Sequence, residues 1–203
     1  MANADLLSAL GFFTRRSFLD PDTCRRLREA VQAAPTSLAR VLDDERGDIL
    51  DRSSRSTEQA SVATEAVELI EGRLKAVLPE VERQYSLPLT GLQSLQFLVY
   101  RQGDFFSAHS DGDDSDDAAD FVRARRVAAI VFLNGESGTE NSNGYQGGAL
   151  TFYGLFEQPE AKTLGLPLEA EEGLLVTFPS DVVHEVRPVT AGERYTAVTW
   201  FVS

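Results

Sequence analysis

The sequence predicts an α+β fold, mainly β, in which an antiparallel sandwich carries helices on one outer face. Two observations predict it. The second half breaks into short apolar runs bounded by Gly, Pro, Asn and Asp with no helical stretch between them, the pattern of antiparallel strands rather than of a parallel sheet. The first half holds two runs with helical periodicity and no strand of comparable length. In the first of these, Asp20-Pro21-Asp22 supplies a cap and a proline at the first helical position; Leu27, Ala30, Val31 and Ala34 then recur at helical spacing until Pro35 stops the run. Val62, Ala66, Leu69, Ile70, Leu74 and Val77 predict a longer helix ending at Pro79. Between them, Leu42 to Thr57 is charged and serine-rich, and reads as a surface loop with short strands. Strands are expected over Leu92 to Arg101, Arg126 to Asn134, Gly148 to Gly154, Leu174 to Pro179, His184 to Val189 and Arg194 to Val202. Gly135 to Gly147 and Leu155 to Gly173 are too long for hairpin turns, which marks them as candidate functional loops. The chain is expected to form one domain over residues 1–203, with 1–91 as a helical support region and 92–203 as the core.

Composition excludes several classes. The longest apolar run, Val127 to Leu133, is far below the ~20 residues of a membrane span. The opening residues lack the basic segment of a secretory signal, and a cytoplasmic, soluble location is the expectation. Cys24 is the sole cysteine, so no disulfide forms within the chain; a lone helical cysteine usually acts as a small apolar residue. Nineteen Lys and Arg against 32 Asp and Glu give a net charge of −13, which repels phosphate backbones and makes nucleic acid a poor partner.

The chemistry concentrates on the only two histidines. In His109-Ser110-Asp111, side chains two apart on an extended backbone point the same way, so His109 and Asp111 can grip one ion. His184 opens a later strand. Two imidazoles and one carboxylate are the set that holds Fe(II) while leaving coordination positions open, although a polar strand end and a carbonyl-satisfied histidine are the ordinary readings of each piece alone. Ten residues after His184, Arg194 shares a strand face with Thr196, Val198 and Trp200; a guanidinium beside an apolar row requires an anion, and its planar fork suits a carboxylate.

These residues resemble the Fe(II)- and 2-oxoglutarate-dependent dioxygenases, most closely the prolyl-4-hydroxylase-like branch. The resemblance runs from about Leu92 to Phe201 and includes Tyr100-X-X-Gly103 before His109-X-Asp111, Gly147-Gly148-X-Leu150, His184-Glu185-Val186 with Pro188-Val189, and Arg194-X-Thr196 ending at Trp200-Phe201. It implies a double-stranded β-helix, or jelly-roll, core. It implies His109, Asp111 and His184 as iron ligands, Arg194 on the distal carboxylate of 2-oxoglutarate, and Tyr100 and Thr196 as its helpers. It further implies O2 as co-substrate, ascorbate as a co-reductant, and a hydroxylated C–H bond on a small molecule, amino acid or peptide, with release of succinate and CO2. The family's halogenases replace the carboxylate ligand, which is kept here as Asp111; its nucleic-acid demethylases carry a second arginine where Trp200 stands. Many prolyl hydroxylases have Lys where this chain has Arg194, so a carboxylate is still bound while a proline substrate is less strongly implied.

Two other classes compete. Two His and a carboxylate also suit catalytic zinc, but no HExxH helix is present and a zinc hydrolase has no use for Arg194; a non-catalytic jelly-roll binding module would not need the intact ligands. In the acidic run Asp111 to Asp117 the glycine is misplaced for a calcium loop and the closing glutamate is missing, so it reads as a solvated loop, with ordering of a cationic substrate near the iron as a second use; Arg123, Arg125 and Arg126 can pair with it, unless Arg126 faces the site. Trp200 is expected in the core, Phe105 and Phe106 in the pocket wall or the sandwich interior, and Gly147-Gly148 at a close strand approach.

Overall fold

The computed structural model describes residues 4–39, 41–43, 47–49, 51–116, 118–137, 143–156, 158 and 161–203. Its elements are, in order, α1 (Ala4–Ala9), β1 (Phe13–Arg15), α2 (Pro21–Ala33), β2 (Thr36–Leu38), β3 (Val41–Asp43), β4 (Gly47–Ile49), β5 (Arg55–Ser56), β6 (Glu58–Ala60), α3 (Thr64–Tyr85), β7 (Gly91–Leu92) and β8 (Gln96–Tyr100). There follow β9 (Phe105–His109), α4 (Asp120–Arg123), β10 (Arg125–Phe132), β11 (Tyr145–Gly147), β12 (Leu150–Phe152), β13 (Leu166–Pro167), β14 (Leu175–Pro179), β15 (His184–Val186), β16 (Val189–Gly192) and β17 (Arg194–Val202).

A major sheet in the order β1-β14-β10-β17-β8-β6-β2, with β7 also on β17, faces a minor sheet in the order β13-β12-β15-β9-β5. All of these pairings are antiparallel, as a jelly-roll core requires. Strand alternation decides what lies where. On β10, Val127, Ala129 and Val131 join the cluster under α2 and α3, while Ala128, Ile130 and Phe132 point between the sheets. On β17, Tyr195, Ala197 and Phe201 face the helices, and Trp200 faces the minor sheet. Arg194 and Thr196 share the parity of Trp200, which puts a guanidinium inside the sandwich.

α2 starts where Asp20 accepts hydrogen bonds from the Thr23 amide and hydroxyl, both at 2.8 Å, a cap worth about 1 kcal/mol. α3 corrects the sequence expectation: it does not stop at Pro79 but runs on to Tyr85. Proline removes one helical hydrogen bond, yet the turn beyond it buries Val81 completely and lets the Tyr85 hydroxyl donate to the Thr177 carbonyl (2.6 Å) and accept from the Phe13 amide (3.0 Å). Tertiary burial outweighs the local penalty. Tyr85→Phe is expected to cost about 1–3 kcal/mol by leaving those groups unpaired. At about 2–4 °C per kcal/mol for a domain of this size, thermal melting followed by circular dichroism reads the loss directly.

Other differences have equally local causes. The expected strand from His184 to Val189 is two strands in two sheets: Pro188 has no amide hydrogen to continue a ladder, so β15 pairs with β12 and β9 while β16 pairs with β11. Residues before Leu92 are not only helical, since β2 and β6 extend the major sheet and β5 extends the minor one. The β3–β4 hairpin lies in the expected loop region 42–57. Within the two long loops, β11 and β13 were not anticipated; residues 138–142, 157 and 159–160 of those loops lie outside the described ones. No helix among the described residues is long and apolar enough to cross a membrane.

Candidate metal centre

β9 and β15 place His109 directly opposite His184, so the antiparallel register itself brings the two imidazoles to a ring separation of 4.3 Å. Asp111 lies two residues beyond the end of β9. Its amide and that of Gly112 donate to the Ser180 carbonyl at 2.9 and 2.8 Å, which turns the chain so that the Asp111 carboxylate meets both rings. Gly112 suits this turn, because a Cβ there would lie 2.6 Å from Ser180 Oγ and 3.0 Å from its Cβ and would force Ser180 to shift. The carboxylate oxygens stand 3.7 Å from His109 Nε2 and 3.6 Å from His184 Nε2, and one ligand atom from each of the three residues lies within 4.8 Å of the others. Three atoms bound cis to one ion at ~2.1 Å are about 3 Å apart, so a small inward shift makes a facial set.

The ring tautomers are fixed as ligands need. His109 Nδ1 donates to the Ser107 carbonyl (2.8 Å) and His184 Nδ1 to the Val182 carbonyl (3.0 Å), leaving both Nε2 lone pairs pointed at the centre. Phe106 stacks on His109 at 3.6 Å, and Phe178 meets the His184 ring edge-on at 4.8 Å. Burial pushes the His184 pKa down, against the pull of Asp111, and so favours the neutral imidazole a metal binds. Burial alone would raise the Asp111 pKa. His184 and His109 outweigh it and hold the carboxyl well below the usual carboxylate range. Among the described residues this is the one group of His, Cys, Asp and Glu side chains arranged to hold an ion. The acidic loop after it is solvated: Asp113 accepts from the Ser115 amide, Asp114 pairs with Arg126, and Asp117 lies outside the described residues.

Deeper in the sandwich, Arg194 is 1% exposed. Its Cζ lies 5.0 Å from the Tyr100 ring centre and 5.1 Å from that of Phe132, and Nη1 reaches Thr196 Oγ1 at 3.5 Å. Nε and Nη2 have no protein partner, and neither has the equally buried hydroxyl of Tyr145. Gly148, at φ +64°, makes room for both side chains: a Cβ there would stand 3.2 Å from Arg194 Cδ and 3.4 Å from Tyr145 Cε2. Unsatisfied buried donors are costly, and a guanidinium fork converging with a phenol matches the acceptor pattern of a carboxylate. The donor set therefore fits a carboxylate. Tyr145 is the residue that sequence reasoning missed. Its signal was the aromatic two positions before Gly147-Gly148, within a stretch read as loop.

Two further residues differ from expectation. Arg126 does not face the site; it binds Ser203 and Asp114 at the surface. The strand irregularity between Arg125 and Val127 turns Arg125 inward instead, with Nη1 donating to the Asp111 carbonyl at 3.0 Å. Trp200 belongs to the core as expected, and it also presents its ring to Arg125, whose Cζ is 3.7 Å from the ring centre.

Comparison with known proteins agrees with this geometry. The sequence profile of the 2OG-Fe(II) oxygenase superfamily matches residues 95–202. A PKHD-type hydroxylase of Shewanella oneidensis is 32% identical over 152 residues, which are 75% of this chain and 60% of the relative. Another from Parvibaculum lavamentivorans is 30% identical over 151 residues, covering 73% and 58%. The chain thus spans about 60% of the length of these curated relatives. Among solved structures, a Pseudomonas putida prolyl-4-hydroxylase superposes with a TM-score of 0.69 at 23% identity, covering 98% of this chain and 95% of that one. A Trichoplax adhaerens prolyl hydroxylase in complex with a hypoxia inducible factor peptide fragment gives 0.74 at 18% identity, covering 98% and 86%. At these identities the structural likeness speaks for the fold.

Proposed function

Because the chain belongs to the 2OG-Fe(II) oxygenase superfamily, we propose that it is an Fe(II)- and 2-oxoglutarate-dependent hydroxylase acting on an unactivated C–H bond of a small molecule, amino acid or peptidyl residue. One observation carries the reading: the chain combines a three-ligand centre built from β9 and β15 with a buried Arg194 on β17 whose Nε and Nη2, like the Tyr145 hydroxyl, have no protein partner. A zinc hydrolase needs only the first of these features. The hydroxylase names of the curated relatives and the peptide held by the Trichoplax neighbour support a hydroxylase with a small-molecule or peptide substrate.

In this reading His109, Asp111 and His184 hold Fe(II), and Arg194 takes the distal carboxylate of 2-oxoglutarate through Nε and Nη2. Thr196 orients the guanidinium at Nη1, and the Tyr100 ring supports its face. When bound, the iron and 2-oxoglutarate supply the oxidising chemistry with O2, leaving succinate and CO2, with ascorbate as the reductant that maintains Fe(II). The protein's own part is placement and exclusion of water. Phe106 and Phe178 pack against the two imidazoles, whose bonds to backbone carbonyls keep their Nε2 atoms fixed. A net charge of −13 disfavours a nucleic-acid substrate.

Anaerobic addition of Fe(II) and then 2-oxoglutarate is expected to produce the visible charge-transfer absorption of the chelate. Folded protein that binds Fe(II) but develops no such band would remove the hydroxylase reading.

A further inference from the structure

Beside the metal ligands, Arg125 is a charged group that this reading leaves without a task. Arg125 is partly buried, and its partners are neutral: Nε donates to Gln93 Oε1 at 2.9 Å, Nη1 to the Asp111 carbonyl at 3.0 Å, and Cζ sits 3.7 Å from the Trp200 ring centre. No carboxylate lies within salt-bridge distance of it among the described residues. Arg26, Arg73 and Arg83 also have only neutral hydrogen-bond partners, but they are exposed on helices, whereas Arg125 is half-buried and its neighbours Arg123 and Arg126 are paired with Asp120 and Asp114. The nearest anion, Asp111, is turned to the two imidazoles. Nor does the filled site need the charge. A divalent ion, the Asp111 carboxylate, the two carboxylates of 2-oxoglutarate and the Arg194 guanidinium already cancel, so Arg125 stands as an extra positive charge at a partly desolvated place. Arg55, whose Cζ lies 4.6 Å over the Phe106 ring, acts on Arg125 as a like charge. On the outer side, the half-exposed Phe121 ring lies 5.5 Å from the Arg125 Cζ and offers an apolar surface beside the guanidinium.

We propose that Arg125 anchors the primary substrate by a carboxylate, so that the bond to be hydroxylated belongs to an organic acid or to an acidic residue held with its apolar part against Phe121. The inference rests on the hydroxylase reading and names its substrate class. Three neutral contacts hold the guanidinium in one orientation, which lowers the entropic cost of forming a charge-assisted hydrogen bond to the incoming acid.

Trp200 is the only tryptophan in the chain, and its ring touches Arg125, so its emission reports on this group. The test loads protein with Fe(II) and saturating 2-oxoglutarate under anaerobic conditions, confirms the charge-transfer band, and titrates propanoate against propanamide. Propanoate is expected to change the Trp200 emission saturably, at a concentration about tenfold or more below any response to propanamide. Arg125→Gln, with its band intact, is expected to lose that preference, Arg125→Lys to retain part of it, and Arg126→Gln to match the unaltered protein. Displacement of propanoate by N-acetylleucine would assign a free acid, and displacement by N-acetylglutamate amide an acidic side chain. A protein that shows the band but responds equally to acid and amide, or to neither, overturns the assignment of Arg125 while leaving the hydroxylase reading standing. Absence of the band removes both.

Discussion

His109→Ala protein is expected to fold and yet to gain no thermal stability from Fe(II). In the unaltered protein an ion present at about a hundred times its dissociation constant stabilises the folded state by ~2.7 kcal/mol, roughly 5–10 °C for a domain of this size. Removing one of three ligands lowers affinity by far more than the ~10–100-fold that loss of a supporting hydrogen bond costs, so the shift disappears. His109 is the better choice of the two histidines because its side chain is 21% exposed against 5% for His184, and its removal leaves a smaller cavity. The structural loss comprises the stack on Phe106, about 0.5–1.5 kcal/mol, and the hydrogen bond to the Ser107 carbonyl, about 0.5–1.5 kcal/mol. Melting curves with and without Fe(II), followed by succinate release, check both halves: a metal-induced shift like that of the unaltered protein, or turnover near its level, would contradict the ligand assignment.

Arg194→Met separates stability from function in the opposite sense. The guanidinium is fully buried, with two of its three nitrogens unpartnered and the third at 3.5 Å from Thr196, between the faces of Tyr100 and Phe132. An uncompensated buried charge destabilises the ligand-free fold, and an apolar chain of similar length removes that cost, for a gain of about 1–3 kcal/mol. The same change deletes the fork that meets the distal carboxylate, a loss of ~2–5 kcal/mol in binding, or roughly 30-fold to several thousand-fold. Arg194→Met should therefore melt higher than the unaltered protein while its anaerobic charge-transfer band needs far more 2-oxoglutarate to appear. A lower melting point together with unchanged co-substrate affinity would show that Arg194 is a structural strut.

Much of the candidate site was legible because its pieces lie close together in sequence or share one strand. His109 and Asp111 are two residues apart, and Arg194, Thr196 and Trp200 recur at the spacing of one strand face, so period alone placed them together. Tyr145 was not legible. It comes from a stretch without periodicity, and only the pairing of β11 with β16 carries its hydroxyl to Arg194. Arg125 and Arg126 are indistinguishable as adjacent letters, and a strand irregularity between Arg125 and Val127 decides which one turns inward. Pro79 gave a correct local signal that lost to burial beyond it, since Val81 and Tyr85 pack and hydrogen-bond against the major sheet.

The sequence by itself determined that two histidines and an aspartate could share an ion, that a guanidinium would lie on an inward strand face, and that antiparallel strands would dominate the second half. Those properties follow from residue chemistry and from the alternation of side chains along one strand, which need no partner strand to be read. Tertiary structure alone decided that His184 pairs across from His109, that Ser180 turns Asp111 toward both, and that Tyr145 joins Arg194 over Gly148. Register and loop closure join residues distant in the chain, and the free energy that selects them arises only when the two sheets meet and bury their facing side chains.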